Sequence, residues 1–149
     1  NKGDDWSRKN IYDFYMANTQ YINNWDLIDT SAEHIVGAFL KERSRNVLHQ
    51  FARTKNLWTR RIAVMATFHF IKDNEYVETL KLAKLLLKDE EDLIQKAVGW
   101  MLREIGNRHL PTEETFLKKH YKNMPRTMLR YAIEKHPEES RARYLRGEI

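Results

Sequence analysis

The chain has 149 residues, of which 42% are apolar and 32% are charged, so it has the length and apolar content of one folded domain rather than of a disordered chain. Its net charge of +5 is compatible with a polyanionic partner, and the lack of cysteine excludes disulfides, thiolate zinc sites and cysteine nucleophiles. The low counts of five glycines and three prolines favour helices over a turn-rich β fold.

No segment resembles a membrane span or a signal peptide. The longest nearly unbroken apolar run, residues 62–71, is too short to cross a bilayer, and no basic start is followed by an apolar stretch. The absence of cysteine is compatible with a reducing compartment. We therefore expect a single domain over residues 1–149, a monomer located in the cytoplasm.

Helical spacing of apolar residues predicts four helices in the first half of the chain. The first lies within residues 6–22, although a polar asparagine interrupts its apolar face. Asparagine or serine, which suit helix starts, precede the next three. We expect these helices over residues 24–40, from residue 44 through 51, and over residues 56–71.

The second half is predicted to continue in the same way. Asn74 is a suitable cap for the next helix, and the acidic residues 89–92 suit the first turn of the one after it, where negative charge meets the positive end of the helix dipole. Gly106 is expected to end that helix. Prolines mark the remaining helix boundaries, at Pro111, Pro125 and Pro137.

A faint internal repeat relates three of these helices. Residues 58–65 align with residues 93–100 after a shift of 35, and residues 124–131 align after a further shift of 31. Periods of this size with two helices per unit are typical of helical solenoids. The predicted fold is all-α, a right-handed superhelical stack of antiparallel helix pairs of the HEAT-like or ARM type, whose inner helices line a concave groove.

Trp25 and Asp29 form the first candidate site. They are four residues apart, so a helix presents both side chains on one face. In a groove, the Asp29 carboxylate would orient water or stabilise a developing cation, with the Trp25 indole as an aromatic wall. The alternative is that Trp25 packs in the core and Asp29 is a surface or capping carboxylate.

Arg60 and Arg61 are the second candidates. Neighbouring residues on a helix point about 100 degrees apart, so only one of them can face a groove. Arg61 or its neighbour would bind a phosphate near the helix N-terminus. The alternative is that both arginines are simply solvated.

Trp100 lies between Lys96 and Arg103 in a stripe of mixed aromatic and basic character. Met101 and Leu102 supply the core-facing side of this helix, which leaves Trp100 free to face the groove. Arg126 and Arg130, also four apart, could extend the basic stripe, but their spacing favours the alternative of a charged surface face.

Other kinds of catalytic site have no support in the sequence. The six histidines show no paired metal-ligand spacing, so we expect no metal site. There is no Gly-rich phosphate loop and no GxSxG nucleophile elbow. Phosphoryl transfer through a P-loop, nicotinamide chemistry and α/β-hydrolase catalysis are therefore not indicated.

Three segments in order, residues 24–29, 57–63 and 94–104, resemble the DNA alkylation repair family, the AlkD-like DNA glycosylases. The resemblance implies HEAT-like repeats and hydrolysis of the N-glycosidic bond of N3- or N7-alkylated, positively charged purines in double-stranded DNA. It also implies that no metal or organic cofactor is needed. Family members usually carry further helices before the Trp-Asp motif, and we expect those helices to be missing here.

Site roles follow from the resemblance residue by residue. Trp25 and Trp100 would be aromatic walls, Asp29 the catalytic carboxylate, and Arg61 the cleft arginine that contacts the DNA backbone. The other expected DNA contacts are the remaining cations of the two stripes, Arg60, Lys96, Arg103, Arg126 and Arg130. The competing interpretation is a non-catalytic HEAT-like scaffold that binds nucleic acid or a protein.

Overall fold

A computed structural model describes residues 3–149, and the regular structure of this part is helical throughout, as predicted. The predicted domain start at Asn1 lies outside the described residues. The helices are α1 (Asp5–Ala17), α2 (Trp25–Ala32), α3 (Ala38–Leu40), α4 (Asn46–Ala52), α5 (Leu57–Ala66), α6 (Phe68–Lys72), α7 (Val77–Leu85), α8 (Asp92–Arg108), α9 (Leu110–His120), α10 (Arg126–Ala132) and α11 (Glu138–Arg146). A π-helical segment, Glu33–Gly37, joins α2 to α3, and two short 3-10 turns cover Thr19–Tyr21 and Tyr121–Asn123.

Two asparagine caps begin the helices that carry the candidate site, as the sequence predicted. The Asn24 side chain accepts a hydrogen bond from the backbone N–H of Asp26 at 2.8 Å and so begins α2. The Asn56 side chain accepts from the N–H groups of Trp58 at 2.9 Å and Thr59 at 3.2 Å and begins α5. These caps fix which side chains of α2 and α5 face each other.

Two predicted boundaries are wrong. Asn74 does not cap α7, because it has a left-handed backbone with φ of 62° in the turn after α6, and Tyr76 is the residue that precedes the helix. Gly106 does not end α8, which continues to Arg108. Instead, Gly106 lies within the helix. The lack of a side chain at this position leaves room for the buried carboxylate of Glu113 in α9.

Three further helices differ from the prediction in extent. Helix α1 ends at Ala17, whereas the predicted first helix extended as far as residue 22. The predicted helix over residues 56–71 breaks at Thr67, whose buried hydroxyl donates to the Val64 carbonyl at 2.6 Å. Of the acidic residues 89–92, only Asp92 lies inside α8.

Helices α2, α5, α8 and α10 pack against one another in that order, and we call them the central row. Each contributes a fully buried side chain to the core: Ile28, Ile62, Ile94 and Met128. The helices between them in sequence pack against the row, with α4 on α5 and both α7 and α9 on α8. The row therefore brings residues that are far apart in sequence to neighbouring positions.

Two glycines allow close approach to helices of the central row. A Cβ atom at Gly99 of α8 would lie 2.5 Å from the Met128 carbonyl oxygen and 2.5 Å from Cβ of Tyr131 in α10. Gly37, the last residue of the π-helical segment, similarly meets the backbone of Ala66 in α5. Real Cβ atoms do not tolerate such contacts, so any larger residue forces the helices apart.

We predict that Gly99→Ala lowers the free energy of unfolding by about 1–3 kcal/mol, because the methyl group overpacks the contact between α8 and α10. Helix propensity alone predicts the opposite sign, a gain of about 1 kcal/mol. Urea unfolding followed by circular dichroism measures the difference. Gly3→Ala is the control, because its Cβ has only ordinary contacts. A stabilised Gly99→Ala protein would contradict the proposed close packing.

Candidate functional site

Asp29 and Arg61 form a two-point ion pair between neighbouring helices of the central row. Nε of Arg61 donates to Oδ1 of Asp29 at 3.0 Å, and Nη2 donates to Oδ2 at 2.9 Å. The Arg61 side chain is only 6% exposed and that of Asp29 is 13% exposed. The carboxylate is therefore held in one plane, with a small part of its surface open to solvent.

Arg61 also binds a third helix. Its Nη1 donates to the Leu93 carbonyl oxygen at 2.5 Å, in the first turn of α8. One guanidinium thus joins α2, α5 and α8. Three of its five N–H groups are used in these contacts. A buried charge with this many partners is costly to disturb, because removal of either partner leaves the other charge uncompensated.

Trp25 lies in solvent beside this ion pair. It is the first residue of α2, one turn before Asp29, and it is 50% exposed. The alternative in which Trp25 packs in the core is therefore wrong. Half of the indole is available to a ligand that approaches the Asp29 carboxylate from the same face of α2.

Trp100 is partly buried, and it is held by two neighbours. Its Nε1 donates to Oε1 of Glu104 at 3.2 Å, and its ring centroid lies 6.2 Å from that of Phe68. Phe68 is not among the residues predicted for the site. Its position seven residues after Arg61, which is two helical turns, indicates the same side of the chain, although the helix is interrupted at Thr67.

Lys96 lies one turn before Trp100 on α8, and its Nζ is 2.8 Å from Oδ2 of Asp92. The hydrogen bond to Asp92 raises the pKa of the Lys96 ammonium, whereas the nearby guanidinium of Arg61 lowers it by a smaller amount. We call Trp25, Asp29, Arg61, Lys96 and Trp100 the Asp29 site.

Arg60 points away from this site, as expected for the neighbour of Arg61. It forms its own ion pair with Asp89, with Nε donating to Oδ2 at 2.9 Å, and it also donates to the carbonyls of Thr54 and Lys55. These contacts tie the start of α5 to the segment before α8. The predicted contact of Arg60 with DNA remains untested.

The other predicted cations differ in how strongly they are engaged. Arg103 pairs with Glu134, and its guanidinium carbon lies 6.0 Å from the centre of the Tyr131 ring. Arg126 donates to the Leu145 carbonyl at 2.6 Å. Arg130 is exposed and has no hydrogen bond or ion pair within residues 3–149. Among the cations of α10, Arg130 is thus the most available to a phosphate.

The described part of the chain contains neither a candidate metal site nor a candidate membrane-spanning helix. No group of three or more histidine, cysteine, aspartate and glutamate side chains among residues 3–149 is placed to hold a metal ion. None of the helices in that range is both long and apolar enough to cross a membrane.

Residues 1–136 match the protein family described as DNA alkylation repair enzyme. The chain belongs to this family. The resemblance predicted from the three segments is confirmed, and the match includes every residue of the Asp29 site. The family assigns the protein a role in DNA alkylation repair and indicates an enzyme that acts on DNA. No curated protein and no solved structure matches the chain.

We predict strong energetic coupling between Asp29 and Arg61. Asp29→Asn and Arg61→Met should each lower the free energy of unfolding by about 3 kcal/mol, because each leaves one buried polar partner unpaired. The double variant should lose about 2 kcal/mol less than the sum of the two, because it removes both charges together. Urea unfolding of all four proteins measures this coupling.

The surface pair Lys96 and Asp92 provides the control for that cycle. Their side chains are 39% and 59% exposed, so Lys96→Met and Asp92→Asn should be additive within about 0.5 kcal/mol. Additive effects for Asp29 and Arg61 as well would show that the ion pair is not an organising contact.

Proposed function

We propose that this protein is a monofunctional DNA glycosylase, which hydrolyses the N-glycosidic bond of positively charged N3- or N7-alkylated purines in double-stranded DNA. The observation that carries the proposal is the Asp29 carboxylate, fixed by two hydrogen bonds from Arg61 beside the exposed indole of Trp25. Membership of the DNA alkylation repair family supports the same class of substrate.

The reaction suits an oriented carboxylate. Alkylation at N3 or N7 gives the purine a positive charge, so the base leaves with the electron pair of the bond between its N9 and C1′ of the sugar. Positive charge then develops on the deoxyribose, where the carboxylate of Asp29 stabilises it. A water oxygen bonds to C1′, and its proton passes to Asp29 or to solvent. The products are the free base and an abasic site.

Arg61 acts in this proposal as a positioning residue. Each Asp29 oxygen accepts one hydrogen bond from the guanidinium and has a further lone pair that can interact with water or with the developing cation. The same guanidinium partly offsets the negative charge of Asp29 and so weakens its attraction for the sugar cation. In return, it holds the carboxylate in one orientation, so the carboxylate does not have to reorganise during the reaction. Its two remaining N–H groups are the ones that would contact a DNA phosphate.

Trp25 and Trp100 supply the aromatic walls. The faces of indole rings attract cations, so both the alkylated base and the charged sugar are stabilised near them. Trp25 can contact a ligand directly, since half of it is exposed. Trp100 is the firmer wall, because Glu104 binds its N–H and Phe68 lies against its ring.

The DNA surface is proposed to follow the central row. Every predicted site residue is on one of its four helices: Trp25, Asp29, Arg60, Arg61, Lys96, Trp100, Arg103, Arg126 and Arg130. We propose that the row is the inner face of a right-handed superhelical stack of antiparallel pairs, a HEAT-like solenoid. The ordered packing of α2, α5, α8 and α10 supports this arrangement.

The proposed enzyme acts as a monomer in the cytoplasm, without a metal ion or an organic cofactor. Its substrate is duplex DNA that contains an alkylated purine. Recognition would rest on the charge of the lesion together with phosphate contacts, among which Arg130 is the cation without an internal partner in the described residues.

The proposal predicts release of free base from duplex DNA that contains 7-methylguanine or 3-methyladenine. Asp29→Asn should lower the single-turnover rate by about a hundredfold or more, because the amide cannot stabilise the sugar cation as a carboxylate does. High-performance liquid chromatography of the released base measures the rate.

Asp89→Asn is the matched control. Asp89 pairs with Arg60 in the same two-point manner, with both side chains similarly buried, but this pair lies on a different side of α5 because neighbouring helix residues point about 100 degrees apart. Its loss should destabilise the protein to a comparable degree and leave base release within about twofold of the parent rate. Equal losses of activity in both variants would assign the effect to folding. No release by the parent protein would favour the non-catalytic scaffold.

A further inference from the structure

A second groove lies between α7 and α9, which are not part of the central row. It encloses about 420 Å³, and we call it the α7–α9 groove. Leu80, Lys81 and Lys84 line it from α7, and Phe116, Lys119 and His120 line it from α9. Its floor is therefore apolar and its rim is basic.

The lysines of this rim are unpaired. Lys81, Lys84 and Lys119 are all exposed, and none has an ion pair or hydrogen bond with another residue of the range 3–149. By contrast, several other basic side chains of the protein are paired, such as Lys41 with Asp73. Like charges that gather without counter-charges do not stabilise the fold. They are compatible with a negatively charged ligand.

The charges from the two helices converge on His120. Burial lowers the pKa of this imidazole, and Lys119 and Lys84 lower it further. Lys84 belongs to α7 and Lys119 to α9, so both sides of the groove act on the same ring. The ring itself lies against Phe116, with the two centroids 4.6 Å apart.

The apolar side chains that line the groove, Leu80 and Phe116, narrow the chemistry of the ligand. A DNA backbone is bound through phosphate contacts and gains little from an apolar floor. A peptide helix with an apolar face and acidic edges complements both the floor and the rim.

We propose that the α7–α9 groove binds an acidic amphipathic helix of a partner protein. Apolar side chains of that helix would cover Leu80 and Phe116, and its carboxylates would pair with Lys81, Lys84 and Lys119. The groove is formed by helices outside the central row, so this contact uses different residues from those of the Asp29 site. The inference does not depend on the glycosylase proposal.

The test uses the full chain, labelled with nitrogen-15, and a synthetic amphipathic helix that has leucines on one face and glutamates along both edges. Nuclear magnetic resonance titration should shift the backbone amides of α7 and α9 and leave those around Asp29 unchanged.

Two double variants with the same net charge separate local pairing from overall attraction. Lys84→Glu with Lys119→Glu should weaken peptide binding by about tenfold or more, since it reverses one charge on each side of the groove. Lys55→Glu with Lys135→Glu changes lysines elsewhere and should retain binding within about threefold. Thermal unfolding confirms that both variants are folded.

Three outcomes would overturn the proposal. The first is equal weakening in both double variants, which would indicate only long-range attraction. The second is equal binding of a peptide whose glutamates are replaced by lysines, or amide shifts outside α7 and α9. The third is a duplex DNA that shifts the α7 and α9 amides and is not displaced by the acidic peptide, which would make the groove a nucleic-acid surface.

Discussion

The buried guanidinium of Arg61 is the contact on which the rest of the account depends. A permanent positive charge in the interior requires compensation, and the fold supplies it from two directions, the Asp29 carboxylate of α2 and the Leu93 carbonyl of α8. Each residue of the pair depends on the other. Asp29 compensates the buried charge of Arg61 and so stabilises the fold, and Arg61 holds the Asp29 carboxylate in one orientation next to solvent and Trp25.

Close packing supports this arrangement along the central row. Gly99 lets α8 and α10 approach more closely than any side chain would allow, and Gly37 does the same for the π-helical segment against α5. At the Asp29 site, groups from α2, α5 and α8 meet at the Arg61 guanidinium. Trp100 gains its fixed position in the same way, because Phe68 of α6 and Glu104 of α8 both contact it. In the proposed mechanism, the contacts of Arg61 and Trp100 that stabilise the fold therefore also position the groups that act on the substrate.

Local features of the sequence predicted much of this. The asparagine caps at Asn24 and Asn56, and the divergence of Arg60 and Arg61, follow from helix geometry alone. Contacts between distant residues did not follow. Nothing local to Asp89 shows that it pairs with Arg60 rather than beginning α8, and nothing local to Gly106 shows that Glu113 will fill its place. These depend on tertiary packing, which overrides the boundary signals of turns and caps.

The most direct test of the central claim is whether Asp29 creates a preference for positive charge at the sugar. The measurement compares the affinity of the protein for duplex DNA carrying a cationic pyrrolidine in place of the lesion nucleotide with its affinity for DNA carrying a neutral tetrahydrofuran there. The parent protein and Asp89→Asn should bind the cationic duplex about a hundredfold more tightly, as expected for a mimic of the transition state, and Asp29→Asn should show no such preference. An equal preference in all three proteins, or none in the parent, would contradict the account.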